Sequence, residues 1–200
     1  MSSLAEQSLA KALKALVDRD DTLANQVEEE DNALDRLQVE IDNRCITLLA
    51  LRQPTAKDLR FLMMAAKLTT DLERIGDHSV NIARRALKLT QEPQLRPYVN
   101  TPRMAEIARG MIRDAFDAFV YEKPILAREL IQRDKELDKL DRQVHADMTD
   151  AMIADSKTVK RAVNIINIAH NLERVGDHAT NIAEEIVFLY EGQDIRHKHE

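Results

Sequence analysis

Asp71-Leu72-Glu73-Arg74-Ile75-Gly76-Asp77-His78-Ser79-Val80-Asn81-Ile82-Ala83 returns one hundred residues later as Asn171-Leu172-Glu173-Arg174-Val175-Gly176-Asp177-His178-Ala179-Thr180-Asn181-Ile182-Ala183. Nine of the thirteen positions are identical, a glycine and a histidine among them, a match that chance rarely gives and that marks a duplicated chain. Upstream the repeat continues more faintly, with Asp31-Asn32-Ala33-Leu34-Asp35-Arg36-Leu37 against Asp134-Lys135-Glu136-Leu137-Asp138-Lys139-Leu140 at an offset of 103, so the intervening loops differ by three residues. Earlier still, Leu13, Leu16, Val17, Leu23 and Val27 fall opposite Phe116, Phe119, Val120, Leu126 and Leu130. Each half therefore holds three segments.

The segments read as helices. Val27, Leu34, Ile41 and Leu48 recur every seven residues, as do Leu130, Leu137, Val144 and Ala151, while Leu68, Leu72, Ile75, Ser79, Ile82, Ala86 and Leu89 trace another heptad-like stripe. Only four glycines and five prolines occur in 200 residues, and the prolines gather at breaks: Gln53-Pro54, Glu92-Pro93 through Pro97 and Pro102, and Glu122-Lys123-Pro124. Asp18 to Asp21 and Asp155-Ser156 complete the punctuation, and Thr55 with Asp58 makes a helix-starting pair. These signals predict helices over 3–18, 21–52, 55–91, 102–121, 124–154 and 156–191. The expected fold is all-α, two tandem three-helix bundles of long antiparallel helices, with a first repeat over 1–92, a linker over 93–101 and a second repeat over 102–200.

Composition narrows the function. The single cysteine, Cys45, has no internal partner for a disulfide and reads as core packing. Met1 to Gln7 place an acid where a signal peptide needs a basic and then an apolar region, and the longest apolar run, Phe61 to Ala66, is too short to span a bilayer, so a cytoplasmic setting is expected. With a formal net charge of −6 and no Lys/Arg cluster, nucleic acid is not an expected partner.

The candidate chemistry lies in the carboxylates. On a helical projection from Leu72, Glu73 falls at about 100°, Asp77 at about 140° and Asn81 at about 180°, one row beside the apolar stripe. Asp31 and Asp35, extended by Gln38 and Asp42, flank the Val27/Leu34/Ile41 seam, and the second half repeats the pattern with Asp134, Asp138, Asp141 and His145 against Glu173, Asp177 and Asn181. Like charges at i and i+4 repel, so such pairs call for open solvent or for a cation. An all-oxygen set suits Mg, Mn or Fe better than a structural zinc. Gly76 and Gly176, each costing about 1 kcal/mol against alanine in a helix, suggest that another helix comes close there. His78 and His178 project about 100° away from the rows, so hydrogen bonding to a neighbouring side chain is expected of them rather than ligation. No catalytic constellation is evident.

Leu51-Arg52-Gln53-Pro54-Thr55-Ala56-Lys57-Asp58-Leu59-Arg60, the two signatures quoted above, and the closing Tyr190-Glu191-Gly192 and Arg196-His197 together resemble the PhoU family of phosphate-transport accessory proteins over nearly the whole chain. The resemblance implies two three-helix bundles, a regulatory and not an enzymatic role, and association with the ATPase of a phosphate ABC transporter and with a phosphate-sensing histidine kinase. It further implies contact with the membrane only through those partners, a possible homodimer, and metal ions, iron or zinc in small clusters with manganese or magnesium as alternatives. The family's (Glu/Asp)-x-x-x-Asp motifs fall here on Asp31 with Asp35, Glu73 with Asp77, Asp134 with Asp138, and Glu173 with Asp177. A carboxylate-bridged di-iron enzyme, or a helical metal-binding scaffold, is the competing expectation, although the Glu-x-x-His pair usual in di-iron sites is missing from both signatures. The halves also differ: Arg52, Lys57 and Arg60 surround a Gln-Pro turn in the first, where the second has Asp155-Ser156.

Overall fold

The computed structural model describes residues 1–95 and 100–196; Pro97 and His197, used in the sequence reading above, lie outside the described residues. Six helices follow one another: α1 (Ser2–Asp18), α2 (Asp21–Arg52), α3 (Ala56–Thr90), α4 (Asn100–Val120), α5 (Pro124–Ala154) and α6 (Val159–Glu191), the last preceded by a 3-10 turn over Ser156–Thr158. No strand occurs among the described residues.

Each boundary has a local cause. Arg19 adopts a left-handed conformation that closes α1, and the Asp20 carboxylate accepts hydrogen bonds from the Thr22 and Leu23 amides to open α2. Gln53, also left-handed, ends α2 before Pro54, and Thr55 and Asp58 form a reciprocal capping box at the start of α3. Pro124 occupies the first turn of α5, where a missing N–H costs nothing. The same reasoning corrects the start of α4, expected at 102: the helix begins at Asn100 and carries Pro102 in its first turn, where the ring is tolerated. Arg19 has a second role, since its Nη2 donates to the carbonyls of Leu89, Thr90 and Glu92 at 2.9, 2.7 and 2.6 Å. A guanidinium at the negative end of α3 complements the helix dipole and ties the α1–α2 turn to the far end of the bundle.

Helices α1–α3 and α4–α6 each form an antiparallel bundle, and one apolar core runs through both. Leu9, Leu16, Val27, Leu34, Leu72, Ile75 and Ile82 fill the first half; Met104, Met111, Leu130, Leu137, Leu172, Val175 and Ile186 fill the second. Ser79 is fully buried in the α3 stripe and donates its hydroxyl to Ile75 O at 2.8 Å, which satisfies it without a partner helix. The α2 seam does not stay buried along its length. Val27 and Leu34 are enclosed, whereas Leu48 is 44% exposed, because α1, at 17 residues, reaches only about half of the 32-residue α2.

The bundles join mainly through α3 and α6, which lie antiparallel. Lys67 meets Glu185, Asp71 meets His178, His78 meets Asn171 and Arg85 meets Asn164, so that contact positions descend along α6 as they ascend along α3. Within each bundle the approach of α2 to α3, and of α5 to α6, is set by glycine. A β-carbon at Gly76 would lie 2.6 Å from Leu34 Cδ1 and 2.9 Å from Asp31 Oδ1; at Gly176 it would collide with Leu137 Cδ2 and lie 3.0 Å from Asp134 Oδ1. Leu34 and Leu137 are themselves buried and have little room to turn aside. Gly76→Ala and Gly176→Ala are therefore expected to destabilise the fold by about 1–2 kcal/mol each, the overpacking penalty exceeding the helix-propensity gain of about 1 kcal/mol. Urea unfolding followed by circular dichroism measures this, and a stability equal to or above wild type would show that the leucines yield.

Candidate functional site

The helical period puts Glu73 and Asp77 on the side of α3 that faces α2, and Asp31 and Asp35 on the facing side of α2. The glycine contact then closes the distance, because Asp31 sits directly opposite Gly76. All of these carboxylates except Asp35 are half-buried. The electrostatics show how near they are to one another. Burial and then the charge of Asp35, with those of Asp77 and Glu73, push the Asp31 carboxyl up to about 6, against a smaller opposing effect of Arg84. Glu73 is raised by burial and by Asp77, and further by Asp35, while Arg74 and His178 pull the other way.

The second half repeats the arrangement. Asp134 sits opposite Gly176, and Glu173 is driven up to about 7, first by burial and then by Asp177, with Asp141 and Asp138 adding to the effect and Arg174 opposing it. Two buried oxygens, Asp141 Oδ1 and Glu173 Oε2, have no hydrogen-bond partner. One arginine per half spans the α3 or α6 row. Arg74 Nη1 donates to Asp77 Oδ2 at 3.0 Å with its Nε 3.5 Å from Glu73 Oε2, and Arg174 does the same to Asp177 at 3.0 Å with its Nε 3.7 Å from Glu173 Oε2. His170 Nδ1 adds a contact at 3.5 Å to Glu173 Oε2 that the first half, with Thr70 at the matching place, lacks.

All eight carboxylates named from the sequence, Asp31, Asp35, Glu73, Asp77, Asp134, Asp138, Glu173 and Asp177, lie on these two facing pairs of helices. The flanking residues divide. Asp141 joins the second row, whereas Asp42 accepts a hydrogen bond from Thr69 Oγ1 at 3.3 Å and Gln38 donates to Thr70 Oγ1 at 3.5 Å, so both are engaged in α2–α3 packing. His145 is exposed. Among the described residues no three Asp, Glu, His or Cys side chains are gathered tightly enough to close around a metal ion as they stand. The donor set, with buried oxygens at Asp141 and Glu173 that accept no hydrogen bond, nonetheless suits a cation bound by carboxylates after side-chain rotation.

The hydrogen bonding expected of His78 and His178 occurs, in a layer between the repeats whose partners the sequence did not name. His178 Nδ1 lies 2.9 Å from Asp71 Oδ1, and His78 Nδ1 lies 2.9 Å from Asn171 Oδ1, across the α3–α6 contact. Asn171 Nδ2 donates to Asn167 O at 2.7 Å, which turns its Oδ1 toward His78 and places the proton on His78 Nδ1. The two imidazoles face one another with centroids 5.4 Å apart, and Asn181 Nδ2 donates to Asp71 Oδ1 at 3.4 Å. Positions 71 and 78 are seven residues apart, hence on one helix face, and that spacing was the available signal.

A PhoU domain model matches residues 1–86 and again residues 101–186, one match to each bundle. The chain belongs to the PhoU family. It is 38% identical over 198 residues to the phosphate-specific transport system accessory protein PhoU homolog of Pseudomonas putida, covering 98% of this chain and 77% of that protein. The homolog of Aquifex aeolicus bearing the same description is 39% identical, covering all of this chain and 90% of the relative. The crystal structure of PhoU from Pseudomonas aeruginosa superposes with a TM-score of 0.94 at 37% identity, over 96% of this chain and 93% of that one. The phosphate transport system regulatory protein PhoU of Streptococcus pneumoniae gives 0.90 at 30% identity, over 96% and 91%. In this chain, facing acidic rows thus occur in both repeats of a PhoU fold.

Raised carboxyl pKa values bear on stability. Asp31 and Glu173 keep their protons to higher pH in the folded chain than in the unfolded one, so folding takes up protons between about pH 4 and pH 7 and stability falls as pH rises through that window. In chelator-treated protein Glu173→Gln is expected to match wild type near pH 4.5 and to exceed it at pH 8 by roughly 1–2 kcal/mol, a figure discounted for the partial exposure of the group. Denaturant melts at the two pH values provide the comparison; an equal difference at both would dissociate the effect from ionisation.

Proposed function

We propose that this protein is a regulatory accessory of phosphate uptake, a non-enzymatic adaptor in the cytoplasm that couples the ATPase of a phosphate ABC transporter to a phosphate-sensing histidine kinase and represses the phosphate-starvation response when phosphate is plentiful. The observation that carries this reading is the PhoU match to both repeats, with relatives described as accessory proteins of phosphate-specific transport. No helix among the described residues is long and apolar enough to cross a membrane, in keeping with attachment to the membrane through partners, and a homodimer is compatible with the same role. Against a di-iron enzyme, the position three residues after Glu73 and after Glu173 is glycine in both repeats, where such sites place histidine.

In this reading the acidic rows hold metal ions, iron or zinc, with manganese or magnesium also suited to oxygen donors. Asp31, Asp35, Glu73 and Asp77 would serve one half and Asp134, Asp138, Glu173 and Asp177 the other. A cation held there would offset the burial and the neighbouring charges that raise Asp31 and Glu173, and would link α2 to α3 and α5 to α6 across the glycine contacts. The chemistry it supplies is charge neutralisation and crosslinking of helices.

Two experiments test the proposal. Protein purified without chelator is expected to contain metal by mass spectrometry, with the pair Glu73→Gln/Asp77→Asn removing about half of it and Glu173→Gln/Asp177→Asn the rest, since each row contributes its own oxygen ligands; full retention by the quadruple variant would reduce the rows to a solvated face. Deleting the gene is expected to leave phosphate-starvation genes switched on in phosphate-replete cells. Normal repression in the deletion strain would remove the adaptor role.

A further inference from the structure

The two repeats end their central hairpins differently, and the difference concerns charge. At the α5–α6 tip Thr158 is buried and donates its hydroxyl to Ala151 O and Asp155 O at 3.1 and 2.7 Å. Lys160 pairs with Glu92 at 2.5 Å and Arg161 donates to Pro93 O at 3.1 Å, so two of the cations of this tip are engaged inside the molecule and Lys157 alone is left exposed without an ion pair among the described residues. At the α2–α3 tip Arg52, Lys57 and Arg60 are exposed and form no ion pair; the nearby Asp58 is occupied by the Thr55 capping box. In a chain of net charge −6 this leaves three neighbouring cations for which no ion-pair partner occurs among the described residues.

The same tip exposes large apolar side chains. Leu51 is 75% exposed and Phe61 45%, and Leu59 and Met63, on the other side of α3 from Phe61, are 43% and 51% exposed. Phe61 stacks on Phe119 at a centroid distance of 5.7 Å, and Phe119 forms a wall of an open cleft of about 250 Å³ whose other walls include Ile41, Leu68, Leu72 and Phe116. Patch and cleft are thus continuous. The capping box and the proline turn hold the backbone of the tip in one conformation, so little ordering is needed on contact.

We propose that the α2–α3 tip is a docking surface for an acidic amphipathic helix of a protein partner, whose apolar side chains cover Phe61 and the adjoining cleft and whose flanking carboxylates pair with Arg52, Lys57 and Arg60. The cations select an acidic partner, and the cleft selects a protein segment over a flat lipid surface, because it accepts individual side chains. This rests on the adaptor reading and adds to it the surface used and the chemistry that is recognised.

The probes are the purified transporter ATPase, the cytoplasmic part of the kinase, and vesicles of phosphatidylcholine with phosphatidylglycerol. Binding of the full chain is measured by biolayer interferometry at two salt concentrations. Lys57→Glu/Arg60→Glu and, separately, Phe61→Ala are expected to weaken binding to one of the two proteins by about tenfold, the size usual for a central interface residue, and the charge variant is expected to flatten the salt dependence. Lys157→Glu and Val163→Ala, at matching places on the other tip, serve as controls expected to change affinity less than about twofold. All five sites are exposed, and thermal melts establish that each variant folds. Wild type and tip variants binding alike would overturn the docking surface and leave the adaptor standing, whereas wild type binding neither protein would overturn both. Loss of vesicle binding alone would assign the tip to a membrane, and a tip-dependent change in sedimentation with concentration would assign it to a second copy of this chain; either result overturns the proposal.

Discussion

Two missing β-carbons, at Gly76 and Gly176, govern how near the long helices of each bundle come to one another. Leucine tips and aspartate oxygens occupy the space that an alanine methyl would take, so the apolar seam and the acidic rows are fixed by the same contact. Were α2 held farther from α3, Asp31 would move away from Glu73 and Asp77, and the mutual repulsion that raises its carboxyl would fade. Packing and electrostatics are thus coupled at one position in each half. Burial energy keeps the helices together against the repulsion of their own side chains, a conflict of the kind that natural proteins keep at functional sites.

The conflict is also contained. Arg74 and Arg174 lie along the rows and offset part of the charge, and the rows face away from the α3–α6 contact, which has its own polar layer of Asp71, His178, His78 and Asn171. Adjacent residues of one helix therefore serve different neighbours: position 77 faces the bundle partner and position 78 the other repeat. His178 is near enough to Glu73 to lower its carboxyl, so the first row senses a charge from the second repeat.

Helix number, order and boundaries were legible because they depend on local chemistry: Asp20, Pro54, Thr55 with Asp58, and Pro124 each act within one turn of their own position. Pro102 misled for an instructive reason, since a proline reads as a stop wherever it occurs yet is harmless in a first turn. The 3.6-residue period placed the motif carboxylates on facing sides of their helices, but it did not separate Asp141, which joins its row, from Asp42, which bonds Thr69 instead. It did not give depth, because a seam such as Val27, Leu34, Ile41 and Leu48 looks the same whether or not a partner helix extends beside its end. Nor did it give the pairing of α3 with α6, which depends on contacts between residues about a hundred apart in the chain.

The layer between the repeats carries a record of how such a chain arises. His178 on Asp71 and His78 on Asn171 are one contact made twice, with the histidine rings meeting at the centre. Self-complementary exchange of this kind is what two identical subunits make about a two-fold axis. A separate repeat carrying this face would pair with a copy of itself, and such a pair would come apart on dilution. Fusion into one polypeptide made the partner permanently local. It also released the two sides of the axis from identity, so that a carboxylate stands at position 71 and its uncharged amide counterpart at 171, a distinction that no assembly of identical chains can sustain.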